Sequence, residues 1–194
     1  MRKIEVKIKG VGEGLLMNSL QAMMEQSESR QKTKKYVDKD EAEKVAYRND
    51  KKELIIPKRC LKACFLNGAS FWKIKRKAAK PIIAGCTTIE EKEIVLTNVK
   101  GKAIMDYVID RRPVVVVKAR IIRARPLIEQ WYAKFHIVYD DSVIDDINVL
   151  KEILEESGKR VGLLDNRPAR YGENGRFVVM SFKELKGEVK VEDY

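Results

Sequence analysis

Hydrophobic residues recur along this chain with two periods, and the switches between them mark its elements. Over residues 2–9, Ile4, Val6 and Ile8 alternate with charged residues, which predicts a strand with one buried face. Gly10, Gly12 and Gly14 break that pattern, and Leu15, Leu16, Met17, Leu20, Met23 and Met24 follow at helical spacing. The glycines predict a tight strand-to-helix turn, and they lack the spacing of a dinucleotide-binding fingerprint. From Glu25 to Glu53 large apolar residues are scarce. Residues 26–40 are expected to form a mobile insertion or loop, and 40–48 a short helix capped by Asp40. Asn49-Asp50 predicts a turn joining 46–48 to 53–56 as a small hairpin. Pro57 then opens a helix whose apolar face is Leu61, Ala63, Cys64, Phe65 and Leu66.

The second half reads as strands around one helix. Residues 93–97 form a strand and 98–102 a turn, and the β-branched run over 114–122 reads as one long strand. Residues 130–139 return as another, with Phe135, Ile137 and Tyr139 on one face and Lys134, His136 and Val138 on the other. An amphipathic helix is expected over 145–157, with acidic residues outside and Gly158 as its C-terminal cap. A loop rich in Gly, Asn, Arg and Pro spans 159–176, strand 177–182 follows, and residues 187–194 are a polar tail. This order predicts an α+β fold of the ferredoxin-like or RRM-like kind. Its antiparallel sheet would carry helices on one face and a polar insertion.

Charge sharpens the picture. The 194 residues carry 40 Lys and Arg against 29 Asp and Glu, a net charge of +11. The excess is concentrated. Between Leu54 and Ile89 there is no acidic residue, while Lys58, Arg59, Lys62, Lys73, Lys75, Arg76, Lys77 and Lys80 surround Phe71 and Trp72. Between Arg111 and Leu127 there is again no acid, with Arg111, Arg112, Lys118, Arg120, Arg123 and Arg125 present. Lys58, Arg59, Lys62, Arg76, Arg111, Arg112, Arg123, Arg125, Arg167, Arg170 and Arg176 are the candidates to neutralise phosphates. Trp72 and Tyr171 are the candidates to stack on bases, whereas Trp131 and Tyr132 read as half core and half surface. The expected partner is single-stranded RNA or DNA, with self-association or other subunits of a nucleoprotein complex.

Other chemistries find less support. His136 is the only histidine, which excludes a multi-histidine metal centre. Cys60 and Cys64 share a helix face, and with Cys86 they make three thiols, too few ligands for a structural zinc site and an odd number for a disulfide framework. No metal and no cofactor is expected. Apolar runs fall far short of the roughly 18 residues of a membrane span, and the N-terminus has no apolar signal core, so a cytoplasmic protein is expected.

Three segments carry a resemblance to a known family. Gly14-Leu15-Leu16-Met17-Asn18 follows the first strand; Leu54-Ile55-Ile56-Pro57-Lys58-Arg59-Cys60-Leu61-Lys62 starts a helix after a strand; Val161-Gly162-Leu163 through Gly172 closes with Gly175-Arg176-Phe177. In these the chain resembles the RAMP superfamily, specifically the guide-RNA-binding backbone subunits of CRISPR effector complexes and their stand-alone viral or mobile-element relatives. It departs from the family pattern at Lys58, where glycine is common, and in having fewer glycines in the last loop. The resemblance implies one domain over 1–186 with insertions at about 25–52 and 70–105. It also implies a repeating subunit that grips RNA with the sheet face, the 58–62 helix start and the insertion. Some relatives cleave RNA with an acidic loop residue, for which Asp38, Asp40, Asp106 and Asp110 all remain open; no catalytic residue is assigned. The alternatives are an RNA or DNA endonuclease, using those acids with a metal or His136 as general base, and a structural assembly protein of a virus or mobile element.

Overall fold

Alternation along the first strand determines which way the sheet faces. In the computed structural model, which describes residues 1–17, 38–116 and 119–187 (without the side chains of 114–121), β1 (Arg2–Gly10) lies between β10 (Tyr132–Tyr139) and β11 (Phe177–Leu185), antiparallel to both. Ile4, Val6 and Ile8 sit opposite Ile137, Phe135 and Ala133, so one face is continuously apolar and buried. The sheet extends from β10 through β7 (Glu93–Thr97) to β3 (Ile55–Pro57), and β6 (Thr87–Ile89) also pairs with β10. Thus part of the 70–105 window belongs to the main sheet.

The apolar face is covered by α2 (Lys58–Ala69), α3 (Ala79–Cys86) and α4 (Ile147–Glu156). Leu61, Cys64 and Phe65 of α2 meet Leu150, Ile153 and Leu154 of α4 over Val6, Ile8 and Phe135 in one core. Each large side chain buried here stabilises the fold by about 1.5–3 kcal/mol. Asp146 caps α4 by accepting a hydrogen bond from the Asn148 N–H at 2.9 Å. The architecture is therefore α+β, with an open, mostly antiparallel sheet. Among the described residues no helix is long and apolar enough to cross a membrane.

A second, three-stranded sheet joins β2 (Leu15–Leu16), β9 (Ala119–Ile128) and β8 (Val108–Val116), and α1 (Asp38–Val45) packs on it. Two expectations are corrected here. The helix predicted from Leu15 begins instead as β2, because Gly14 at φ +74° turns the chain onto β9. A side chain on Gly14 would come within 2.6 Å of the Ile128 carbonyl. Leu20, Met23, Met24 and residues 26–37 of the predicted loop lie outside the described residues. The long strand predicted over 114–122 is two arms of a hairpin, with Val116 opposite Ala119. Both arms are β-branched and no Gly, Asn or Pro separates them, so periodicity could not show the reversal; Val117 and Lys118 lie outside the described residues.

Three further boundaries differ. The helix expected over 40–48 is α1, starting two residues earlier and ending at Val45. Pro57 is not in the first turn of α2 but immediately before it, in an extended conformation (φ −61°, ψ 137°). Gly158 does not cap α4: the chain continues into a π-turn over Ser157–Val161, and the left-handed residue is Gly162 at φ +72°. Gly158 is needed for closeness instead, since a Cβ there would lie 2.1 Å from the Phe177 carbonyl. The hairpin expected around Asn49-Asp50 is present as an antiparallel bridge between Arg48 and Leu54. The tail residues 188–194 lie outside the described residues.

Candidate nucleic-acid interface

The N-terminus of α2 concentrates positive charge by two routes. Its first turn carries no acidic residue and no capping side chain, so the positive end of the helix dipole lies beside Lys58, Arg59 and Lys62 without a counter-charge from the helix itself. Strand pairing adds a fourth cation: Pro57 is opposite Glu93, and the Lys58 N–H donates to the Lys92 carbonyl at 3.0 Å. The result is an open cleft of about 430 Å³ lined by Pro57, Lys58, Arg59, Lys62 and Lys92, with no carboxylate among them. Lys92 was hidden in the sequence, because Glu90-Glu91-Lys92-Glu93 reads as an ordinary solvated run of mixed charge.

A second cleft of about 290 Å³ opens on the other side of Arg59, between α2 and the 162–175 loop; Cys60, Gly162, Leu164 and Arg167 line it. The loop is rigidly built. Leu164, Asn166 and Tyr171 take positive φ, as do Gly162 and Gly175. Asn174, fully buried, donates to the Glu13 carbonyl at 2.6 Å and accepts from Asn166 Nδ2 at 2.7 Å. Arg167 donates to the Leu164 carbonyl at 2.9 Å, which orients its guanidinium along the cleft wall. Tyr171 is fully exposed at the end of a short 3-10 turn, and Arg170 beside it is exposed as well.

Lys62 occupies a different position from its neighbours. Its ammonium donates to the Ile83 carbonyl at 3.1 Å and to the Thr87 hydroxyl at 2.8 Å, and it also reaches the Thr87 carbonyl. It thereby closes the C-terminal end of α3, where a cation complements the helix dipole. Burial, with Lys58 adding repulsion, lowers its pKa to about 8. Burial acts on the neighbouring thiols in the opposite direction, raising Cys60 and taking Cys64 to about 12, so neither is an activated nucleophile.

The structure brings Lys58, Arg59, Lys62 and Arg167 together and distributes the other candidates elsewhere. Arg123 and Arg125 are corrections: at 5% and 3% exposure neither presents an open guanidinium to a phosphate. Arg123 pairs at 2.8 Å with Glu41 of α1, which also accepts from the Ala124 N–H at 2.9 Å. Arg125 pairs with Asp165 and, at 3.5 Å, with Asp110, tying the hairpin to the 162–175 loop. Glu41 and Asp165, remote in sequence, supply most of this counter-charge, and Asp110 lies just outside the acid-free window, so that window could not reveal it. Arg112 is paired with Asp110 at 2.7 Å, and Arg111, exposed, lies 3.6 Å from Asp38. Arg176 is held by Glu173 at 3.1 Å and by the Lys159 carbonyl at 2.6 Å. Arg76 is exposed at the tip of a small hairpin formed by β4 (Lys73–Ile74) and β5 (Lys77–Ala78), while Trp72 packs against the core instead of standing free to stack. Trp131, expected to be half exposed, is fully buried beneath Gly10.

No protein-family model matches the chain, and no curated protein matches it in sequence.

Proposed function

We propose that this protein binds single-stranded nucleic acid, RNA in preference to DNA, with little sequence dependence, as a repeating subunit of a ribonucleoprotein or filament. The observation that carries it is the pair of basic clefts meeting at Arg59, walled by a helix N-terminus on one side and a preformed loop on the other. A phosphate there would meet forked and point-charge donors with no competing carboxylate in the lining. Exposed Tyr171 and Arg170 on the same loop supply a stacking surface and a further cation. We place the domain in the ferredoxin-like, RRM-like class and with the RAMP superfamily. In support, four strands in chain order β1, β7, β10 and β11 stand in sheet order β11, β1, β10, β7, with α2 after the first and α4 after the third.

Fluorescence anisotropy with matched 30-mers of single-stranded RNA, single-stranded DNA and duplex tests this reading. Binding should be tightest for single-stranded RNA and fall by about 0.7 in log–log slope per phosphate contacted as salt rises. Salt-insensitive binding, or none, would refute it. Elution as a monomer both with and without RNA would remove the filament.

The position of Lys62 adds a pH signature. Its folded pKa, about 8, lies below the ordinary 10.5. The ammonium is therefore present in the cleft at pH 7 and lost as pH rises through 8. Affinity for RNA should fall between pH 7 and 9, and Lys62→Met should flatten that fall. Stability moves oppositely. The unfolded chain binds the extra proton between about 8 and 10.5, so unfolding becomes harder across that window. Parallel anisotropy and urea titrations at pH 7 and 9 check both signs.

A further inference from the structure

The sheet face turned away from the helices carries the chain's single histidine, and acidic side chains approach that ring from two directions. Register places Glu5 of β1 directly opposite His136 of β10. Glu90 and Glu91 arrive from the break between β6 and β7, where the backbone is locked to the same residue: the Glu90 N–H donates to the His136 carbonyl at 3.0 Å. Glu91 grips His136 twice, accepting from its backbone N–H at 2.9 Å through one carboxylate oxygen and meeting ring Nδ1 at 2.5 Å through the other. Glu90 comes within 3.6 Å of Nδ1, and Glu5 within 3.9 Å of Nε2.

We propose that His136, Glu90 and Glu91 bind one first-row divalent cation of the zinc class, with Glu5 as the nearest further ligand. One ligand atom from each of the three residues lies within 4.8 Å of the others. Bonds of about 2.0–2.2 Å to imidazole nitrogen and carboxylate oxygen place ligand atoms about 3.4 Å apart in a tetrahedron. Rotations of the two partly exposed glutamate side chains suffice to reach that spacing. Lys3 holds Glu90 at 2.6 Å and Lys134 holds Glu5 at 2.6 Å. Lys3 and Lys134 each pair with one carboxylate and Lys7 adds to the positive field at Glu5, so Glu91, which among the described residues pairs with the ring alone, is the carboxylate left for a dication. A nitrogen ligand disfavours magnesium and calcium, which take oxygen, and selects zinc, cobalt or nickel. The backbone N–H that holds the second oxygen of Glu91 orients this ligand from behind, as outer-shell hydrogen bonds do at metal centres. This site stands independently of nucleic-acid binding, although Glu91 directly precedes Lys92 of the basic cleft.

The single histidine makes the test clean. Chelator-treated protein is titrated with zinc chloride while the imidazole C–H proton resonances are followed by NMR and the bound metal is counted by mass spectrometry. One zinc per chain is expected, saturating at one equivalent together with a shift of the histidine resonances. Glu91→Gln and, separately, Glu90→Gln should each weaken binding at least tenfold while the far-ultraviolet circular dichroism stays unchanged. Magnesium at the same concentration should leave the resonances in place. Histidine resonances that stay put while zinc binds would place the metal on the thiols and overturn the proposal. So would failure to bind zinc at micromolar concentration, or glutamine variants that bind as the parent does.

Discussion

Exchanging Lys58 and Arg59 together for glutamate should cost about tenfold to a thousandfold in affinity for single-stranded RNA at low salt, without destabilising the fold. Both side chains line the basic cleft, and Arg59 also lines the second cleft beside Arg167. If each contacts one phosphate, the salt slope should drop by about 1.4 (twice 0.7 per contact), and the reversed charges should repel the backbone further. Stability should move the other way. The two positions are the first of α2, where negative side chains complement the helix dipole by about 0.3–1 kcal/mol each. A merely structural role would make binding and stability fall together. Opposite signs in anisotropy and urea unfolding identify the first turn of α2 as binding surface. Unchanged affinity in a folded double variant would move the interface away from this helix.

The largest effect on stability is expected at Gly175. Its φ of +75° is nearly that of Gly101, +76°, so an alanine at either position has the same backbone strain, about 1–2 kcal/mol. Their surroundings differ. A Cβ on Gly101 meets nothing within 4 Å, whereas one on Gly175 would lie 2.0 Å from the Leu163 carbonyl oxygen and 2.7 Å from the Leu163 nitrogen. That approach is too close for any side chain, and the backbone must separate. The same residue accepts from the Leu163 N–H at 2.9 Å and donates to the Gly14 carbonyl at 2.8 Å. Gly175→Ala should therefore cost about 3–5 kcal/mol, the overpacking penalty added to the strain, and Gly101→Ala only the strain. Equal losses in urea unfolding would show that the 162–175 loop yields, contrary to its hydrogen bonding. The loop forms one wall of the second cleft, so the Gly175 variant should also bind RNA less well, and the Gly101 variant should not.

Periodicity sufficed for the longer elements that bury one face against the core. The alternation of Ile4, Val6 and Ile8, the opposed faces of 132–139 and the amphipathic stretch over 147–156 are local records of burial. They place strands and helices correctly because hydrophobic side chains at those spacings have only one way to leave water together. The approximate position of the basic cleft was legible for a related reason. Lys58, Arg59 and Lys62 adjoin a helix start marked by Pro57, and that juncture depends on a few neighbouring residues.

By itself, then, the sequence determined strands β1, β7, β10 and β11, helices α2 and α4, the α+β class and the positive helix start, all set by side chains within a turn or two of one another. Tertiary structure alone decided which cations are exposed. Glu41, Asp110 and Asp165 neutralise Arg123 and Arg125 from as many as 82 positions away, converting an apparent basic strand into buried ion pairs. It also decided that Lys92 joins the cleft, through the pairing of β3 with β7, and that Glu5, Glu90 and Glu91 converge on His136. The physical reason is common to all of these. Charges act through space with no period in the chain, so only the packed fold settles which partners share low-dielectric surroundings and which remain in water.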